Sequence, residues 1–390
     1  MTQNKAIAAE QSAEDQLVLE SIDKWLERDV RAKVMKLDHA DEYPLEMVEQ
    51  MKELGLFGAT IPAEYGGLGL SATTYAQIIE KISSVWMSLS GVVNSHLIMA
   101  ACVTKNGTEE QRQRFLPRFA TGELRGGLAL TEPDAGTDLQ SIRTRATKDG
   151  DHYVINGTKT WITNGIHGSC FALLVKTDPE ADPRHKGMSM FIAEKADGFR
   201  VSKKIEKLGY KGIDSAELIF DDYRISADNL VGGVEGKGMQ AALSGLELGR
   251  INIAARGCGL ADAALKESLK YAQQRKTFGK PIAQHQAIQL KLGEMATRVR
   301  AARLLTYDAA RAYDSGERCD MEAGMAKYFA SEAAVSNSLE AMRIHGGYSY
   351  SKEYNVERYF RDAPLMCIGE GTNEIQLMII AKQMLERHPA

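Results

Sequence analysis

The hydrophobic period of this chain changes twice, and those two changes confine it to few folds. From about Gln11 to Phe119 the pattern is helical: Leu17, Ile22, Trp25 and Leu26 recur at helical spacing, as do Met47, Met51, Leu54 and Phe57. From about Gly126 to Gly236 apolar residues gather in runs of strand length, Phe171–Val175, Met188–Ile192 and Ala216–Phe220. Asn156-Gly157 reads as a type I′ hairpin turn between His152–Ile155 and Thr158–Thr163, because that pair tolerates positive φ. From Lys237 helices return. Met239, Leu243, Leu246 and Arg250 share one face; Ile288, Leu292, Met295 and Val299 share another, after a start at Pro281. Ala-rich stretches at 301–312 and 323–334 suit close helix packing. The expected class is α+β: an N-terminal helical domain (1–125), a middle β-domain (126–236) and a C-terminal four-helix bundle (237–390).

Composition narrows the function. With 390 residues, 44% of them hydrophobic, the chain is long enough for roughly two to three domains. A formal net charge of -4 implies neither a nucleic-acid surface nor a polybasic membrane patch. The five cysteines are scattered, with no CxxC pair, which fits free thiols in a reducing compartment. Glu10, Glu14, Asp15 and Glu20 make the first twenty residues too acidic for a transit peptide, and no uninterrupted apolar run is read as a bilayer span. The cytoplasm is the default location, an organellar matrix the alternative. No HxxxH or HExxH spacing suggests a metal, and neither GxxxxGK[ST] nor GxSxG occurs.

The chemistry is concentrated in a few short segments. Ile368-Gly369-Glu370-Gly371-Thr372-Asn373-Glu374-Ile375 sets one carboxylate between two glycines, behind the apolar run 364–368. The glycines let a ligand come close, and a poorly hydrated approach would raise the proton affinity of Glu370, as a general base for a carbon-bound proton requires. A solvated Glu in a Gly-rich turn is the alternative. Leu128-Ala129-Leu130-Thr131-Glu132-Pro133-Asp134-Ala135-Gly136-Thr137-Asp138 leads from a strand into a loop whose hydroxyls and N–H groups suit the edge of a flat heterocycle; a decorated turn has the same composition. Trp161-Ile162-Thr163-Asn164-Gly165 sets an indole at a strand end, where it packs either on an aromatic cofactor or in the core. Gln274-Arg275-Lys276-Thr277-Phe278-Gly279-Lys280-Pro281 with His285-Gln286 places cations beside a helix start, suited to a pyrophosphate or simply solvated. His345-Gly346-Gly347-Tyr348 ends a helix or lets a ligand approach the backbone.

In their order these segments resemble the acyl-CoA dehydrogenase family, over about Gln16 to Arg387. The resemblance implies the three-domain fold above, with FAD between the β-domain and the C-terminal helices. Leu128, Leu130, Thr131, Gly136 and Thr137 would contact the flavin region, with Trp161 and Thr163 beside the isoalloxazine. Arg275, Thr277, Phe278, Gln286, Arg343, Gly346 and Gly347 would hold the adenine and pyrophosphate, some of them from a neighbouring subunit, so a homotetramer is implied. Thr372 and Glu374 would also touch FAD. Arg343 stands where the family often has a glutamine.

The resemblance also assigns the chemistry. Glu370 would take the α-proton of an acyl-CoA thioester while the β-hydrogen leaves as hydride to flavin N5, and electrons would pass to an electron-transfer flavoprotein. The enolate oxygen would be met by the backbone N–H of Glu370 and a ribityl hydroxyl. One subgroup carries its base before the arginine matching Arg250; here that residue is Gly249, which favours Glu370 as the base. Thr137, Glu247, Arg250, Gly369 and Lys382 would bind substrate, the last near the CoA phosphates. Gly369 and Gly249 suggest a roomy pocket, hence a short branched, cyclic or aryl-substituted acyl group. The stretch Ile82–Thr104 has no Lys or Arg, against a dicarboxylic substrate. The competing functions are a flavin oxidase or monooxygenase on the same scaffold, and a non-enzymatic binding protein.

Overall fold

The computed structural model describes residues 13–389. Glu10 and the rest of 1–12 lie outside the described residues. Among the described residues, five α-helices precede the sheet: α1 (Ala13–Trp25), α2 (Val34–Ala40), α3 (Leu45–Glu53), α4 (Ala72–Asn106) and α5 (Glu109–Ala120). Seven strands follow: β1 (Gly126–Ala129), β2 (Arg145–Asp149), β3 (His152–Thr163), β4 (Cys170–Lys176), β5 (Met188–Glu194), β6 (Phe199–Lys204) and β7 (Ser215–Ser226). Then come α6 (Gly238–Gln274), the short hairpin β8 (Lys276–Thr277) and β9 (Lys280–Pro281), and α7 (Gln286–Asp314), α8 (Asp320–His345), α9 (Val356–Ile368) and α10 (Asn373–Arg387). The chain forms two compact units. One takes residues up to His39, Leu70–Ser90 and everything from Arg250; the other takes Ala40–Gly69 and Gly91–Gly249.

In the second unit the sheet runs β1-β4-β2-β3-β7-β6, with β5 on β4; β1 and β4 are parallel, β3 and β7 antiparallel. Its core is aromatic. Phe199 and Phe220 lie 4.6 Å apart, Tyr153 and Phe191 4.9 Å. The hairpin turn is not at Asn156-Gly157. Strand β3 runs straight through that pair, and the turn falls at Gly150 (φ 63), where Asp149 faces His152. Asn156-Gly157 forms a bulge against β7 instead. Asn156 exchanges two hydrogen bonds with Asp222, and a Cβ on Gly157 would sit 2.4 Å from Thr144 Oγ1.

In the first unit α8 is central, packed by α7, α9 and α10. Its Ala-rich face is buried, including Ala323, Ala326, Ala330 and Ala334. Two sequence expectations need correction. Helix α7 begins at Gln286, since Pro281 belongs to β9 and a 3-10 turn intervenes. On α6, Leu243 is exposed, whereas Arg250 is buried together with Ala241, Ala242, Gly245 and Leu248. The small residues admit close packing there: a Cβ on Gly245 would lie 2.9 Å from Ile98 O.

Helix α4 is kinked at Trp86 (φ -152, ψ 105). The break frees carbonyls, and two buried arginines answer it: Arg358 Nη2 donates to Val85 O at 3.0 Å and Arg256 Nη2 to Ser90 O at 3.4 Å. A stretch without Lys or Arg of its own thus receives cations from α6 and α9. Helix α4 also qualifies as a bilayer span by length and composition, contrary to the sequence expectation; its most apolar stretch averages a hydropathy of 1.4, and 83% of that stretch is buried in the fold, as for a core helix.

Candidate active site

Each compact unit carries its own half of the expected site residues. In the β-domain unit, Leu128, Leu130 and Thr131 leave β1 and enter the tight turn Glu132-Pro133-Asp134-Ala135, closed by Glu132 N–H to Ala135 O at 2.8 Å. One buried ion pair fixes this loop. Lys159 Nζ donates to Leu130 O at 2.9 Å and to Glu132 Oε1 at 2.8 Å. Glu132 also accepts the Thr144 N–H at 3.0 Å and the Arg143 N–H at 2.5 Å. Burial pulls the Lys159 ammonium down to about 8, and the Glu132 charge only partly opposes it. Burial works against the Glu132 carboxylate as well, yet Lys159 and the N–H donors hold it below the usual range. Gly136 and Thr137 are exposed beyond the turn.

Thr160 N–H donates to Thr131 O at 2.9 Å, which ties the loop to β3. Two residues further along the chain from Lys159 stands Trp161, at φ 61 and 58% exposed. The indole therefore does not fill the core. A bulky residue in the left-handed region is strained, and here it presents its ring to the outside. Asn164 (φ 62) ends the strand, with Nδ2 on Val92 O at 3.1 Å and Gly126 O at 2.9 Å. Thr163 is half-buried between them. Glu247 pairs with Lys105 at 3.4 Å.

In the helical unit, Glu370 occupies the turn between α9 and α10 at φ 56, followed by Gly371 at φ 90. It is half-buried; the apolar run before it is the last turn of α9, and Ile368 is exposed. The left-handed conformation costs a non-glycine residue about 1 kcal/mol or more, so the surroundings must enforce it. They do so at each step. Gly369 N–H donates to Leu365 O at 2.9 Å, Gln376 Nε2 to Gly371 O at 3.2 Å, and Lys327 Nζ to Cys367 O at 3.2 Å. Thr372 caps α10 through Ile375 N–H at 3.4 Å, a structural task the sequence reading did not give it. Glu374 is exposed in the first turn of α10, its carboxyl lowered by its backbone N–H and Thr372. A Cβ on Gly369 would meet nothing closer than 3.4 Å, so that position leaves space rather than relieving a clash.

A second place in this unit gathers expected residues. Arg275, Thr277, Gly346 and Gly347 line one cleft of about 600 Å³. A Cβ on either glycine would meet nothing within 4 Å, so both backbones are open to a ligand. Tyr271, outside every segment singled out above, lines the same cleft, as does Tyr348, the last residue of the Gly-Gly segment. Tyr271 lies one helical turn before Arg275, a spacing that could have revealed it, and the Arg275 guanidinium sits 5.7 Å from the centre of the Tyr348 ring. Phe278, at φ 49 on the β8–β9 tip, is 95% exposed and does not line the cleft. Gln286 and Arg343 are exposed, with Arg343 bonded to Glu340. Arg250 is buried, whereas Lys382 is solvated beside Glu386 at 3.8 Å. Among the described residues, Asp38, His39 and Glu357 gather ligand-type atoms as a metal would require, but Arg361 bonds Asp38 and Glu357, each at 2.6 Å.

One unit thus carries an outward indole beside a fixed loop, and the other a cationic cleft with open glycines. Matches to known families cover nearly the whole chain. Residues 12–123, 127–223 and 236–385 match the N-terminal, middle and C-terminal domains of acyl-CoA dehydrogenase. The chain belongs to the acyl-CoA dehydrogenase family. As a member it is an FAD-dependent oxidoreductase acting on acyl-CoA thioesters. It is 43% identical to an acyl-CoA dehydrogenase of Bacillus subtilis (strain 168), over 90% of this chain and 92% of that one. It is 39% identical to the 3-(aryl)acrylate reductase of Clostridium sporogenes (strain ATCC 15579), over 93% and 96%. Its fold matches butyryl-CoA dehydrogenase from Megasphaera elsdenii with a TM-score of 0.93, at 35% identity over 96% and 99%.

Proposed function

We propose that Glu370 is the general base that removes the α-proton of a short branched, cyclic or aryl-substituted acyl-CoA, giving the 2-enoyl-CoA. One observation carries this reading. A carboxylate-bearing residue is held at φ 56 by hydrogen bonds on both flanking segments. Strain of that kind persists where the position of a side chain matters. The half-buried setting limits water around the carboxylate, and Gly369 leaves room for a branched or ring-bearing chain beside it. Bound FAD supplies the hydride acceptor.

The residues of this chain do the rest. Leu128, Leu130, Thr131, Gly136, Thr137, Trp161 and Thr163 are assigned to the flavin end, with the indole as a flat wall. Arg275, Thr277, Gly346 and Gly347 are assigned to the adenine and pyrophosphate end, where a guanidinium and open backbone suit phosphate oxygens. Phe278, Gln286, Arg343, Thr372 and Glu374 complete the FAD assignments of the resemblance, and Glu247, Arg250 and Lys382 those for the CoA moiety. An exposed Phe278 at a hairpin tip supports contact with a neighbouring subunit, hence a homotetramer. Electrons pass to an electron-transfer flavoprotein, and the protein works in the cytoplasm, where its five free cysteines stay reduced.

The test is anaerobic bleaching of the yellow protein across a panel of acyl-CoA thioesters. Isobutyryl-, isovaleryl- or 3-phenylpropionyl-CoA should bleach it fastest, with electron transfer to the flavoprotein acceptor and no peroxide in air. A preference for octanoyl- or palmitoyl-CoA would reject the substrate class, and stoichiometric peroxide would favour an oxidase.

A further inference from the structure

Beneath the loop that carries Glu370 lies a fully buried lysine. Lys327, on α8, is 0% exposed, and its ammonium donates to Cys367 O at 3.2 Å and to Asn373 Oδ1 at 2.8 Å. Those two acceptors stand three residues before and three residues after Glu370. One helical turn along α8, Ser331 Oγ donates to the same Asn373 Oδ1 at 3.1 Å. Next to it Glu332 accepts the Asn373 Nδ2 at 2.7 Å. Asn373, 4% exposed, thus has both ends of its amide fixed by α8. Among the described residues, no ion pair joins a carboxylate to the Lys327 nitrogen, whose hydrogen-bond acceptors are an amide oxygen and a backbone carbonyl.

That arrangement is costly. A buried ammonium without a contacting counter-charge loses its hydration for two neutral acceptors. Burial pulls Lys327 down to about 8; Cys367, Glu370, Glu374 and Glu332 oppose the shift without cancelling it. A methionine of similar volume would fill the same space without the penalty. The charge does what an apolar side chain cannot: it grips both ends of a seven-residue turn whose central residue is strained, and it places a cation where the Glu370 carboxylate feels it.

Resting on the assignment of Glu370 as base, we propose that Lys327 is a positioning residue for the reaction: it clamps the α9–α10 turn through Cys367 and Asn373 and so holds the Glu370 carboxylate in its working orientation. A neutral, apolar replacement removes the lysine's bonds to Cys367 O and Asn373 Oδ1, leaving the latter to Ser331 alone, and the turn samples conformations in which Glu370 leaves φ 56. Acyl-CoA still binds, since Lys327 is sealed from solvent, but proton removal slows.

The experiment compares the FAD-loaded wild type with Lys327→Met, Lys327→Arg, Asn373→Ser and Glu370→Gln. Lys327→Met should lower kcat at least tenfold with KM changed less than threefold and FAD content unchanged. Lys327→Arg, which keeps charge and donors, should recover a third or more of the loss on a logarithmic scale. Hydrogen exchange of the amides at 369–373, read without substrate, should quicken at least tenfold in Lys327→Met and in Asn373→Ser. If Lys327→Met does not fold, Asn373→Ser carries the test with the same kcat and exchange criteria. A kcat within twofold of wild type, a loss that merely follows loss of FAD, or unchanged exchange overturns the proposal. Should Glu370→Gln turn over normally, the assignment of the base fails instead; should Glu370→Gln be inactive while Lys327→Met behaves as wild type, the clamp alone fails.

Discussion

Two buried lysines, one in each compact unit, hold loops that carry proposed site residues, and they differ in what faces them. Lys159 grips the β-domain loop through Leu130 O at 2.9 Å and meets a full carboxylate, Glu132, at 2.8 Å. Lys327 grips the α9–α10 turn through Cys367 O at 3.2 Å and meets only an amide oxygen, Asn373 Oδ1, at 2.8 Å. Burial pulls both down to about 8. The first charge is closed off locally, so it serves the rigidity of a loop that presents backbone and hydroxyl groups. The second is answered at longer range by Glu370, Glu374 and Glu332, so it acts on the residue proposed as the base. The same side chain, equally buried, forms a closed ion pair in one place and a clamp on neutral acceptors in the other.

Breaking the pair in the β-domain should have the largest effect on stability. Lys159→Met leaves Glu132 buried without its counter-charge and should cost about 3–5 kcal/mol. Lys159→Met combined with Glu132→Leu should recover most of that, as urea unfolding would report. If the single variant loses no more than the double, the pair is not closed.

The contrast sharpens with pH at Lys327. Its folded value of about 8 lies below the unfolded one, near 10.4, so the unfolded chain binds the proton more tightly and the penalty of the buried charge is present below pH 8. As pH rises from 7 to 9.5 that penalty fades. The stability of Lys327→Met relative to wild type should therefore fall by about 2 kcal/mol over that interval. A difference that stays constant with pH would mean that burial does not lower the proton affinity of this lysine in the fold.

Smaller effects bound the comparison. Thr372→Ala removes the cap of α10 and should cost about 1 kcal/mol. Trp161→Ala touches an exposed side chain and should change stability by no more than about 0.5 kcal/mol while weakening FAD retention. A loss of about 3 kcal/mol or more would return the indole to a core role.

Much of this was legible in the sequence because it lies in period and order. The three textures gave helices, sheet and helices, and the order of short segments pointed to the family. The failures have local causes. Asn156-Gly157 has ideal turn chemistry, but Asp222 bonds the asparagine and Thr144 crowds the glycine, so tertiary contacts turn it into a bulge. Trp161 looked equally suited to the core, because burial cannot be read from a single aromatic residue. Lys327 carries no local signal at all. It sits in an Ala-rich helix like any surface lysine, and its partners are 40 and 46 residues away. The cations at the α4 kink were invisible for the same reason, being supplied by α6 and α9.

Stopped-flow mixing of FAD-loaded Glu370→Gln with the best acyl-CoA under anaerobic conditions tests the proposed role of Glu370 as base most directly. The yellow colour should persist, with flavin reduction slowed about 1,000-fold or more while acyl-CoA still binds, consistent with loss of a general base. Reduction within tenfold of the wild-type rate would contradict it.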